Sequence, residues 1–436
     1  MGLILTILYL LCMLGAPAVW VPFLAQTSYV VYLSALAAVA SVPRLLQGSL
    51  IRHTPQVAVL SGFFLVLICT PLLKAWFGGV IEAFREQVPY LLVLFLVRAN
   101  CDTTARRKAL VGAVLLLMTT LTLVGAYQYN SHMEDPENKF VFRQNASGES
   151  VNGAESDEAD VKLDYRLKAQ GLLDDPNDFA QAMLVTIALS TLLWGPGIFS
   201  KFFLVLAPGA ILLYGIYLTH SRSALVAMVF TIIVVLRHRL KLWGSVLVGM
   251  LAAAGLVVMR FAGGREISMS SGADRLELWA EGLYRFRHSF GLGIGYHNYT
   301  DEVGMTAHNS ILLVGVETGI LGLTLFIAAF VICFTQLNRI VQPIDGAAPD
   351  PVFAHEARSL EAAFAAYLGT SWFLSRAYNP MPYLLVGLVA ALAYQVAERS
   401  PARPLLPSWP IVARNSLILA PASLALIYIL VHLRAA

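Results

Sequence analysis

The chain has 436 residues, 58% of them hydrophobic and only 13% charged, with a formal net charge of +3 and four cysteines. With a mean hydropathy of +0.68, these values exclude an ordinary soluble domain and point to an all-α polytopic membrane protein, read as a single membrane domain over 1–436. Basic patches interleaved with aromatics are absent, so no nucleic-acid partner is expected.

Apolar runs that suit a bilayer, roughly 17–25 residues each, are read at 3–22, 26–42, 56–73, 87–97, 109–127, 178–194, 201–218, 222–236, 242–259, 309–334, 359–375, 381–397 and 411–431. They predict about 12–13 transmembrane helices, the first 42 residues being either two short crossings or one broken one. Met1 to Val21 lacks a basic leader and a cleavage site and is read as a first span. Cys12, Cys69 and Cys333 lie in apolar runs and Cys101 in a basic loop, which indicates neither a disulfide nor a metal cluster.

Basic residues recur at Arg44 and Arg52, through Arg98 to Lys108, through Arg237 to Lys241, and at Arg339, Arg358, Arg399 and Arg403. These connections share one parity and are predicted to be cytoplasmic. The opposite side receives a long acidic segment, read as a periplasmic loop over 128–176, and a second periplasmic segment over 260–307. It also receives the turn "LTHSRSA" (Leu218 to Ala224) and "SRAYNP" (Ser375 to Pro380). In a bacterial inner membrane that side lacks ATP, so any chemistry there must use an already activated substrate.

The acidic stretch from Ser131 to Asp164 reads as a solvated, mobile connector. It ends in "QGLLDDPNDFAQ" (Gln170 to Gln181), where Pro176 suits a first helical turn and Asp175 a cap. Asp174 and Asp178 are then left available for acceptor hydroxyls. In "THSRSAL", Arg222 is either a snorkelling anchor or an anion ligand facing the bundle.

"SSGADRLELWAEGLYRFR" (Ser270 to Arg287) reads as an amphipathic helix lying on the membrane surface, with Ser271 as its N-cap. Arg275, Leu278, Trp279, Gly282 and Phe286 share its apolar face, where a cation is costly unless it meets an anion; Glu277, Glu281 and Arg285 share another. "GLGIGYHNYTD" (Gly291 to Asp301) reads as a tight glycine turn that lets the backbone approach a ligand or a helix.

In "AHNSILLVGVETGILGL" (Ala307 to Leu323) a single helix is expected to place His308, Leu312, Gly315 and Gly319 on one face and Glu317 on the other. Gly315 and Gly319 form a small-residue seam, expected to approach the Arg222 turn. His308 is either a catalytic base or an interfacial cap, with Asn309 and Ser310 beside it.

Taken together and in this order, "THSRSAL", "ADRLELW", "GLGIGYHNY" and "AHNSILLVGVETGILGL" resemble the O-antigen ligase and O-antigen polymerase superfamily of bacterial membrane glycosyltransferases. The resemblance is best over Gln170 to Leu323, and "DPNDFA" is similar to the start of that region. It implies a glycosyltransferase C-like fold that transfers a glycan from undecaprenyl diphosphate to an acceptor hydroxyl at the periplasmic face of the inner membrane. The implied reaction inverts the anomeric centre and uses no nucleotide sugar, cofactor or metal. It places diphosphate-binding arginines on Arg222 and Arg275 and the catalytic histidine on His308. Asn309, Asp174, Asp178, Arg285 and Glu317 remain accessory candidates.

The acceptor stays open between lipid A–core oligosaccharide, another lipid-linked glycan as in a polymerase, and a protein hydroxyl. A flippase or transporter of lipid-linked sugars is the competing class; it would place ionisable groups or broken helices near the midplane. The predicted spans hold almost none besides Glu317.

Overall fold

The computed structural model describes residues 1–47, 53–135, 137–144, 164–258, 269–343, 348–400, 404–406 and 408–435. The protein is an all-α, multi-pass membrane protein: eight helices among the described residues are long and apolar enough to cross a membrane. The acidic stretch at 145–163 and the first residues of the second polar segment lie outside the described residues. The flanks of the acidic stretch pair as a small antiparallel ribbon, Val141–Gln144 against Asp164–Leu167, which the sequence did not announce.

Burial is deepest at Pro380–Arg399, a helix apolar on all sides, with 94% of its most apolar window buried. Helices of that composition have no face to offer solvent and end up enclosed. Small residues let neighbours close in on it: a Cβ on Gly387 would lie 3.0 Å from Val97 Cβ and 3.2 Å from the Leu94 carbonyl. The end of the bundle that carries the basic connections is locked by Arg107, which has no solvent exposure. Its Nε donates to Glu356 Oε2 at 2.6 Å, and Nη1 donates to the Cys101 carbonyl at 3.0 Å. A buried cation satisfied this fully fixes register, and removing one partner alone would be costly.

The runs 222–236 and 242–259 are separate as expected: the stretch Arg222–Val258 reverses at Lys241 (φ 55°, ψ 178°), at the end of the basic connection Arg237 to Lys241. The fold-back is plain from Gly249, whose Cβ would lie 2.5 Å from Ile233 Cγ1, although a straight helix would separate those residues by about 24 Å.

The run 309–334, expected as one span, is broken, and the break shapes the opposite end of the bundle. Ser310–Val341 turns sharply at Gly319 (φ 70°, ψ −176°), and Gly315 there faces Leu323. The carbonyls of Val316 and Glu317 accept from the N–H groups of Ile294 and Gly295, and Ile320 N–H donates to Gly291, at 2.9, 3.0 and 2.9 Å. The glycine loop thereby takes over the hydrogen bonds that the helix gives up, as buried backbone requires.

This docking explains the glycines. Gly291, Gly293 and Gly295 have φ of +74°, +97° and +99°, and a Cβ on Gly293 would sit 2.5 Å from the Glu317 carbonyl. At Gly319 a Cβ would sit 2.4 Å from the Leu292 carbonyl. The expected approach of Gly315 and Gly319 to the Arg222 turn is therefore replaced: Gly319 meets the Gly291–Leu292 backbone and Gly315 meets Leu424.

Gly319→Ala combines a left-handed backbone, costing about 1–2 kcal/mol, with a clash against main chain that has nowhere to go. It is expected to lower the melting temperature in detergent strongly, whereas Gly315→Ala, which meets the flexible end of Leu424, should be nearly neutral. Equal melting temperatures for the two variants would contradict this account of the break.

Candidate functional site

The broken helix, the loop 372–379, the first turn of Pro176–Ser190 and the middle of Phe77–Asn100 enclose a cavity of about 590 Å³. Its lining includes His308, Arg376, Asp178, Glu317, Tyr296 and Tyr90. Tyr90 lies 13 residues along its helix from Phe77, a rise of about 20 Å, so the cavity is sunk into the bundle rather than resting on its surface.

His308 is placed by its neighbours. Asn309 is the N-cap of the helix: its Oδ1 accepts from the N–H groups of Ile311 and Leu312 at 3.0 and 2.9 Å. His308 precedes that cap in a left-handed conformation (φ 48°), so it is neither the cap nor a helical residue. The helical-wheel expectations of a face shared with Leu312 and of opposition to Glu317 therefore lapse, and His308 and Glu317 line the same cavity.

The preceding residue is pinned by the amphipathic helix Met269–His288, whose Trp279 Nε1 donates to the Ala307 carbonyl at 2.8 Å. That helix is already running at Met269, so Ser271 is inside it rather than capping it. Its apolar face packs on protein, with Trp279 and Leu283 buried and Gly282 against Tyr299. It is not laid on a lipid surface by that face.

One turn before Trp279, Arg275 comes within electrostatic reach of both Arg222 and His308. Burial, and then the charge of Arg222, lower the Arg275 pKa. Burial also lowers His308, to about 4, helped by Arg275 and Arg376 and opposed by Asp175. The imidazole is accordingly neutral at pH 7, within reach of the charges of Arg275, Arg376 and Asp175.

The Arg222 turn is fastened to the cavity wall. Ser221 Oγ donates to Asn177 Oδ1 at 2.9 Å, and Arg166 Nη2 donates to the same oxygen at 3.0 Å while its Nε donates to the Thr219 carbonyl at 2.9 Å. Asp175 caps Pro176–Ser190 as expected, accepting from Asn177 and Asp178 N–H. Capping by Asp175 directs the next carboxylate, Asp178, to an ion pair with Arg376.

Arg376 was not among the sequence candidates, although "SRAYNP" carried the same signal as "THSRSAL", a lone arginine between apolar runs on the polar side. Ser310 holds its loop by donating to the Leu374 carbonyl at 2.5 Å and accepting from Arg376 N–H at 2.8 Å.

Of the sequence candidates, His308, Asp178 and Glu317 line the cavity; Arg222, Arg275 and Asn309 do not, and Asp174 and Arg285 are paired elsewhere. Asp174 pairs with Lys168 at 2.7 Å and its side chain is 55% exposed. Arg285 pairs with Glu281 at 2.7 Å and Glu302 at 3.6 Å, away from the lining residues. Glu317 is buried, and its Oε1 accepts from Tyr299 N–H at 3.2 Å, supplying the partner an intramembrane carboxylate requires.

No metal site was expected from spacing, yet among the described residues folding gathers one group that could hold an ion: Glu82, Glu86 and His297 present ligand atoms within 4.8 Å of one another. Glu82 and Glu86 are one turn apart, and the third member arrives from a distant loop, which spacing does not reveal.

The fold and the cavity define a multi-pass membrane protein with a sunken polar chamber in which Arg376, Asp175 and Asp178 join a neutral histidine. Residues 207–327 match the family model described as O-antigen ligase, so this segment is similar to the O-antigen ligase family. The match supports a glycosyltransferase-like enzyme of polysaccharide assembly. It spans Arg222, Arg275, His308 and Glu317, whereas Glu86, Asp178 and Arg376 lie outside it. No curated protein matches the chain.

Proposed function

We propose that the protein transfers a glycan from undecaprenyl diphosphate to an acceptor hydroxyl at the periplasmic face of a bacterial inner membrane, inverting the anomeric centre without metal or nucleotide. The observation that carries this reading is the uncharged His308 set beside Arg275, with Arg222 and Arg376 nearby. Arginine forks bind diphosphate oxygens in pairs and stabilise the charge that grows as the leaving group departs. A neutral imidazole accepts the proton of the attacking hydroxyl. The basic connections, which the positive-inside rule assigns to the cytoplasm, support that sidedness.

A flippase would also need a cavity for lipid diphosphate, and the broken helix is a feature transporters share. A histidine held neutral beside the phosphate-binding groups favours chemistry, because simple phosphate binding is better served by one more cation.

The pH profile tests this arrangement. The acid limb of kcat/KM reports the free enzyme and that of kcat the bound complex. With His308 lowered to about 4 in the free protein, kcat/KM should stay flat from pH 8 to about 5 and fall only below that. Bound diphosphate neutralises the cations that help to depress the imidazole, so the limb of kcat should lie at higher pH. Coincident limbs near the ordinary histidine value would mean that His308 does not act beside the diphosphate.

A further inference from the structure

A second polar cavity lies far from the first. The helical segment 222–241 packs against Pro351–Ser371, and near the Arg222 end the contact is close: a Cβ on Gly369 would sit 3.0 Å from the Ala227 Cβ. About 10 Å further along, where the side chains become long and charged, the two helices enclose about 450 Å³. The walls carry Val234, Val235, His238, Arg239, Arg358 and Glu361. Arg239 stands 17 residues from Arg222, about 25 Å along the same segment, so this cavity is separate from the chamber around His308.

Its charges do not balance. Glu361, 6% exposed, accepts from Arg237 and meets His238 Nε2 at 2.7 Å, so its carboxylate is held by two groups of the facing helix. Among the described residues Arg239 and Arg358 form no ion pair. The level in the membrane is marked by the reversal at Lys241, because Trp243 just beyond it is 84% exposed, and an exposed indole suits the boundary between headgroups and acyl chains. Val235, on the cavity wall, is 48% exposed. The cavity thus meets apolar, lipid-facing surface as well as charge.

We propose that this cavity binds the headgroup of an anionic phospholipid, with the phosphodiester oxygens on Arg239 and Arg358 and an acyl chain along the surface at Val235. Guanidinium forks take phosphate oxygens in pairs, and basic pockets between spans on the side of the basic connections suit such headgroups. A soluble phosphate would meet the cations and leave the apolar wall unused. A zwitterionic lipid would bring an ammonium against two arginines.

The test is native mass spectrometry of the full chain in detergent, titrated with phosphatidylglycerol or phosphatidylcholine of matched acyl chains. The wild type should prefer phosphatidylglycerol. Arg239→Gln and Arg358→Gln should each weaken that lipid about tenfold, the scale of one charge-assisted hydrogen bond, and leave phosphatidylcholine unchanged. The double variant should hold the two lipids alike. Both side chains are exposed, so the melting temperature without added lipid should stay at the wild-type value. Lysine at either position keeps the charge without the fork and should recover only part of the affinity. Lys108→Gln, on another basic connection, should leave the preference intact.

Equal binding of the two lipids by the wild type, a preference that survives the double variant, or an equal loss in Lys108→Gln would overturn the site. So would displacement of the lipid by inorganic phosphate or glycerol 3-phosphate at concentrations comparable to its own, which would mark a site for a soluble phosphate.

Discussion

His308→Ala is expected to lower transfer by about 10²–10⁴, the range over which positioned acid–base groups act, while the protein still retains undecaprenyl diphosphate. The two effects separate because the imidazole and the cations are different groups. Asn309 already caps the helix, so loss of the imidazole leaves the cap in place. The same fact makes His308→Asn decisive. If the residue served the helix end, asparagine would restore function and alanine would cost only about 0.5–2 kcal/mol of stability. If it accepts a proton, asparagine is as inactive as alanine, and both variants melt close to the wild type. Turnover and diphosphate retention measured side by side on the two variants decide the matter; an active His308→Asn protein would refute the base.

Arg275→Ala and Arg222→Ala are expected to lose about 10²–10³ in rate, as for removal of one preorganised donor to a developing anion. Arg222→Lys should recover only part of this, because an ammonium lacks the planar fork. Arg275 carries a second signature. Its charge is the first electrostatic cause after burial of the low His308 pKa, so Arg275→Ala should move the acid limb of the residual kcat/KM upward in pH. A purely structural arginine would reduce the amount of folded protein and leave the limb in place. Wild-type turnover in both alanine variants would take the arginines out of the site.

What was legible in the sequence depended on distance along the chain. The membrane class follows from composition, and Arg222, Arg275 and His308 could be put forward because each sits in a short motif. The Asp175 cap and the glycine turn were legible for the same reason, since caps and tight turns are decided by a few adjacent residues.

Hydropathy could not show the break at Gly319, because the run is apolar on both sides of it. The compensating hydrogen bonds come from Gly291 to Gly295, an approach that only the tertiary fold brings about. Helical periodicity likewise misplaced His308 against Glu317, since a wheel applies only to residues that are helical. Glu86, which lines the cavity, was missed because the span reading began at Gln87 and set aside the charged half of Phe77–Asn100. Arg376 was visible as an arginine in a polar-side turn, but its pairing with Asp178 joins positions 198 residues apart.

The most direct test of the whole account is a reconstitution. Purified wild-type protein in liposomes is given an undecaprenyl-diphosphate-linked oligosaccharide and the host strain's own lipid A–core as acceptor, with EDTA and without nucleotide, and the products are read by mass spectrometry. The account predicts a new glycoside of inverted anomeric configuration together with released undecaprenyl diphosphate, both absent with His308→Ala. Movement of intact donor across the bilayer with no new glycosidic bond, or transfer that appears only on addition of a divalent ion, would contradict it.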